Sequence, residues 1–124
     1  MLKLKIAVVL LFFVFSFLAC SSAKSKRSSS SSGIVIAQSK TYEASLYRQN
    51  CAICHGAEGL GKDVNGVVAP SLRFGEIEKK SEREIYEQIA HGKLPMPSFK
   101  NQLTDEEIRR LAKFIRRDLQ GQDE

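Results

Sequence analysis

No acidic residue precedes Glu43 in this chain of 124 residues. Up to Lys40 the only charged side chains are Lys3, Lys5, Lys24, Lys26, Arg27 and Lys40. From Thr41 onward 13 Lys and Arg face 14 Asp and Glu, so the formal charge of +5 belongs to the N-terminal third. Binding of nucleic acid needs basic residues gathered on a folded surface, and this balance gives no reason to expect it. Cysteine is scarce and odd in number, with three residues, which fits poorly with a disulfide framework. Histidine is scarcer still: His55 and His91 are the two in the chain. A zinc site built on one cysteine pair would therefore run short of ligands. No convincing strand pattern and no internal repeat occurs, which argues against a thioredoxin-like sheet. The longest apolar run, Ile6 to Ala19, is interrupted only by Ser16 and is too short to span a bilayer comfortably.

What that run does match is a signal peptide, with Lys3 and Lys5 as its basic start; residues 1–19 are expected to be a leader. Phe17-Leu18-Ala19-Cys20 then resembles the lipobox of bacterial lipoproteins, which implies cleavage before Cys20 and a lipid on its sulfur. Phe17 and Leu18 depart from the usual aliphatic-then-small pattern, and cleavage after Ala23 is the competing reading. Residues 20–40, with serines from Ser28 to Ser32, read as a solvated tether; Ile34 to Ala37 is a short apolar run that could pack on the domain edge. Twenty such residues have a root-mean-square span of about 25 Å and a stretched limit near roughly 70 Å.

The folded unit is expected over residues 41–120, with residues 121–124 as a tail. A helix is predicted over Tyr42 to Asn50. Four glycines between Gly56 and Gly66 mark a loop. Ser81-Glu82-Arg83-Glu84 is a capping box opening a helix that stops at Gly92, and Thr104-Asp105-Glu106-Glu107 is a second. Beyond the second box Ile108, Leu111, Ala112, Ile115 and Leu119 keep a 3.6-residue period. The fold class is all-α. A unit this small buries a modest share of its surface and often needs a cofactor or crosslink at its centre.

Cys51-Ala52-Ile53-Cys54-His55 supplies one, for it is the attachment signature of haem c. Two thiols three residues apart lie on one side of a helical turn, where each can bond a vinyl group of one porphyrin. His55 then offers its imidazole to the iron from one face. Met96, between Pro95 and Pro97, is the candidate for the opposite face, because the two prolines stiffen the backbone that carries it. His91 is the rival, although a solvated residue at a helix end is its ordinary state.

From about Thr41 to Leu119 the chain resembles the class I, mitochondrial-type, single-haem cytochromes c. The resemblance rests on Tyr47, Cys51 to Gly56, the glycine loop, Ala69-Pro70-Ser71-Leu72, Ile89, Gly92, Met96-Pro97, Phe99 and the last amphipathic helix. It implies a small cytochrome c fold wrapped around one covalent haem, with the first and last helices crossing so that Tyr47 meets the Leu111 to Ile115 region. It also implies that Pro70 offers its carbonyl to the ring of His55, and that Leu72, Ile85, Ile89, Leu94 and Phe99 line the pocket. His/Met ligation raises the potential and fills both axial positions. The expected function is one-electron transfer with protein partners on the outer side of a bacterial membrane, without a small-molecule substrate. The competing expectations are a permanent electron-entry subunit of an oxidoreductase, or a sensor or peroxidase-like enzyme with a labile sixth site.

Overall fold

The computed structural model describes residues 33–122. The segment expected to be a leader, Cys20 and the serine run lie outside them. The described chain forms helix α1, Tyr42–Asn50, a single turn α2, Ala52–His55, and a hairpin of β1, Lys62–Val64, with β2, Val67–Ala69. A 3-10 turn follows at Glu76–Lys79, then α3, Glu82–His91, and α4, Asp105–Lys113, which runs on as a π-helical segment, Phe114–Leu119. No helix among the described residues is long and apolar enough to cross a membrane.

The helix starts follow from their caps. Ser81 Oγ accepts from the Glu84 amide while the Glu84 carboxylate accepts from the Ser81 amide at 2.8 Å. Thr104 and Glu107 repeat the arrangement. Each box satisfies amides that the first turn leaves without helical partners. Gly92, at φ 72°, ends α3. A Cβ there would stand 2.6–2.7 Å from backbone atoms of Met96 and Pro97, so only glycine lets the following turn fold back this closely.

The helices meet on one apolar core. Tyr47, Ile36, Ile85, Ile108, Leu111 and Phe114 are its largest fully buried side chains. The Tyr47 and Phe114 rings pack with centroids 6.3 Å apart, which places α1 across the last helix. Tyr47 also donates from its hydroxyl to the Gly56 carbonyl at 2.7 Å, joining that crossing to the turn that follows His55. Burial pushes the Tyr47 phenol far above its ordinary range, so this donor stays protonated.

Three features differ from the sequence expectations. First, the glycine loop contains strands. Lys62 pairs with Ala69, Asp63 with Val68 and Val64 with Val67, around a turn with positive φ at Asn65 and Gly66. An Asn-Gly pair between valines is a strong hairpin signal, and the density of glycines hid it. The fold remains mostly helical.

Second, the packed unit begins before Thr41. Ile36 is fully buried, and Ile34 donates its amide to the Asp118 carbonyl at 3.0 Å. The stretch from Gly33 to Ser39 is thus a strap on the domain rather than part of a tether. Third, the last helix widens into a π-helical segment at Phe114. Its apolar positions keep their burial, with Ile115 and Leu119 both in the core.

Candidate functional site

Cys51 and Cys54 sit on the short turn α2, reached directly from α1: the Cys51 amide donates to the Tyr47 carbonyl at 2.8 Å. Both thiols are free of disulfide. Cys51 is half-buried and Cys54 exposed. Burial, with Cys54 close by, pushes the Cys51 thiol up to about 12. A redox-active pair of the thioredoxin kind works through a thiol lowered toward neutrality, and Cys51 is shifted the other way. Among the described residues no group of three or more His, Cys, Asp and Glu side chains could hold a metal ion. A zinc site thus finds no donor set there.

His55 ends the same turn and is 8% exposed. Its Nδ1 lies 2.9 Å from the Pro70 carbonyl oxygen, and no hydrogen bond of Nε2 occurs among the described residues. A proton on Nδ1 satisfies that carbonyl and leaves Nε2 with its lone pair as a metal donor. The loops carrying the two residues are closely joined. The Gly61 amide donates to the His55 carbonyl at 2.9 Å, and the Leu72 amide to the Gly59 carbonyl at 2.8 Å. A Cβ at Gly61, whose φ is 86°, would stand 2.8–3.1 Å from backbone atoms of Ala69, Pro70 and Ser71. The glycine lets one loop lie directly on the other.

Met96 is held by the other end of the fold. Lys93 and Met96 exchange backbone hydrogen bonds of 3.0 and 2.9 Å across Leu94 and Pro95, whose peptide bond is cis. Phe99 donates its amide to the Ile89 carbonyl at 3.1 Å, and the Ser98 hydroxyl donates to the Ala90 carbonyl at 2.6 Å. The Met96 turn is therefore pinned to the end of α3. The Met96 sulfur is half-buried and accepts from the Gln88 amide nitrogen at 3.8 Å. Sequence reasoning missed Gln88, although its place on α3, eight residues before Met96, was readable. His91 points elsewhere: its side chain is 60% exposed, with Nε2 3.2 Å from Glu87 Oε2.

The expected lining residues fall into two groups. Leu72, Ile85 and Ile89 are buried in the core, and Phe99 packs against it. Leu94, by contrast, is 94% exposed, and Pro70 shows its ring to solvent while using its carbonyl. Large exposed apolar side chains occur on each segment around the site: Ile53 on α2, Leu60, Val67 and Val68 in the loop and hairpin, and Leu94 in the Met96 turn. Two free thiols, a buried imidazole with one nitrogen in reserve and uncovered apolar side chains together fit a haem c.

Comparison with known proteins covers the same stretch. Residues 41–115 match the family model described as cytochrome C oxidase, cbb3-type, subunit III. Cytochrome c6 of Anabaena variabilis is 36% identical over 75 residues, covering 58% of this chain and 83% of that protein. Cytochrome c6 of Synechococcus elongatus is 37% identical over 74 residues, covering 58% and 82%. Among solved structures, the KustC0563 c-type cytochrome superposes with a TM-score of 0.50 at 35% identity, covering 58% of this chain and 90% of that one. The matched region is the stretch that the fold builds around Cys51 and His55, and the chain therefore belongs to the cytochrome c family, as a small electron carrier with one covalent haem c.

Proposed function

We propose that this chain is an exported one-electron carrier with His55 and Met96 as axial ligands of its haem, held to the outer face of a bacterial membrane through a lipid on Cys20. The observation that carries the reading is the ring of His55: buried, oriented by Pro70, and left with Nε2 free. When bound, the haem supplies an iron that changes oxidation state by one electron. The protein's part is to hold that iron's surroundings still. Cys51 and Cys54 would keep the cofactor in place, and the Pro70 carbonyl fixes the orientation of the His55 ring. The pinned Met96 turn would hold a thioether for the iron of a bound haem and so keep small ligands from it.

The test is spectroscopic. The ferric protein should show the weak long-wavelength band of iron–thioether bonding, and the ferrous protein should leave carbon monoxide unbound. Ready uptake of carbon monoxide would replace this reading with the sensor or peroxidase-like one. A second reading has its own support. The matched family model is described as an oxidase subunit, which suits a permanent electron-entry subunit. Recovery of the native chain in a stoichiometric membrane complex would select it.

The tether is part of the proposal. With the strap counted in the domain, residues 21–32 remain between Cys20 and the packed unit. Cys20→Ser should move the protein from the membrane fraction to the soluble one, or leave it unprocessed. A mature N-terminus at Lys24 would show an ordinary cleavage site and a protein without the lipid.

A further inference from the structure

The strap before α1 is fastened by side chains that also touch the loops of the haem site. Glu58, three residues after His55, accepts the amides of Ile36 and Ala37 at 2.8 and 2.9 Å, one on each carboxylate oxygen. Arg73, three residues after Pro70, donates from its guanidinium to the Ile34 carbonyl at 2.6 Å and to Glu58 Oε2 at 3.3 Å. Its Nε donates to the Glu58 backbone carbonyl. Arg48, on α1, caps the far end of the strap at the Ile36 and Ser39 carbonyls, at 2.7 and 2.9 Å. The pair is well shielded, with the Arg73 side chain 13% exposed and that of Glu58 30%.

Glu58 thus belongs to the His55 loop and Arg73 to the Pro70 loop, and the strap is a third partner to both. From this we infer that Glu58 and Arg73, staked by the strap, are positioning residues for the proximal ligand: they hold the Pro70 carbonyl against the ring of His55. The inference rests on the reading of His55 as an axial ligand. Its consequence is that the electronic state of the site depends on a segment that never touches the cofactor's ligands. Where the strap lifts, the two loops part, the hydrogen bond to Nδ1 lengthens and the imidazole becomes a weaker donor. A weaker donor favours ferrous iron, so the potential rises.

The geometry allows a test without a change of charge. Gly33→Ala puts a Cβ 2.5 Å from the Leu119 carbonyl oxygen, 2.6 Å from that of Asp118 and 2.8 Å from Arg73 Nη1, so it prises the strap away and crowds the Arg73 guanidinium while leaving both charged side chains in the sequence. Arg73→Lys keeps the positive charge and loses the fork that spans the Glu58 and Ile34 carbonyls. Each variant should be made in the full chain, loaded with haem, and compared with the wild type by redox titration and by proton NMR of the ferrous form. The expected result is a higher midpoint potential in both variants, with solvent exchange of the His55 ring proton at least tenfold faster. Exchange and potential unchanged in both variants would overturn the inference, as would a potential shift with unaltered ring-proton exchange. A wild type lacking the His55 ring resonance of a bound imidazole would overturn the ligand reading itself and the inference with it.

Discussion

Met96→Ala should abolish the iron–thioether band, open the ferrous iron to carbon monoxide and lower the midpoint potential by a sizeable part of the roughly 0.8 V that axial ligands span. The expectation follows from the economy of the chain. Apart from the initiator, Met96 is the one methionine of the sequence, and backbone and side-chain hydrogen bonds fix its turn to itself and to α3. Removal of the thioether leaves Gln88 without its acceptor but cannot bring His91 into its place, because that ring lies exposed beside Glu87. His91→Ala should accordingly leave the band, the potential and the carbon monoxide resistance as they are. The opposite pattern, a silent Met96→Ala and a disruptive His91→Ala, would mean bis-histidine ligation. Spectra and redox titration of the two variants side by side decide the matter.

The double variant Cys51→Ser/Cys54→Ser should lose the haem mass from the polypeptide and most of the thermal stability. The described unit is close to the size at which an apolar core by itself supplies only about 3–5 kcal/mol. Ile53, Val68 and Leu94 are large exposed apolar side chains on the segments that carry Cys51, Pro70 and Met96, and a covalent haem would give them apolar surface to pack on. Covalent attachment keeps the covering group at an effective concentration that no free ligand reaches. Mass spectrometry of the denatured protein, made in a host with haem-ligation machinery, checks the first loss and thermal unfolding checks the second. A double variant that kept the added mass would place the attachment elsewhere, and one with an unchanged melting temperature would show that the core suffices alone. Of the two single variants, Cys51→Ser should be the more damaging to packing, since its sulfur is the less exposed and touches the core.

Local chemistry was the legible part of this chain. Both capping boxes occur where Ser81 and Thr104 announce them, because a box is a contact between residues three apart. The meeting of Tyr47 with Phe114 and the approach of the Pro70 carbonyl to His55 were accessible only through resemblance to a family; no spacing in one sequence pairs residues 67 or 15 positions apart. The apolar run Ile34 to Ala37 hinted at the strap, but what it meets was hidden for the same reason. Its partners Glu58 and Arg73 lie 22 and 39 residues from the atoms they hold, and a short apolar run after serines carries no sign of what it meets. The hairpin is a different case, since Asn65-Gly66 between valines was a local signal. The π-helical widening after Lys113 leaves the 3.6-residue apolar pattern nearly intact and so has no trace in the sequence.

The hydrogen bond from Ile34 to Asp118 has one more consequence. It places the first and last segments of the folded unit side by side, so that entry and exit share one patch of surface. A unit of this shape can be spliced into a loop of another protein, joined head to tail in series, or circularly permuted, with little disturbance of its interior. In each arrangement the host chain would leave from the patch beside Gly33 and Leu119. The same electron-carrying module can then serve as a separate carrier or as a built-in domain, with the difference lying in the sequence attached at that patch.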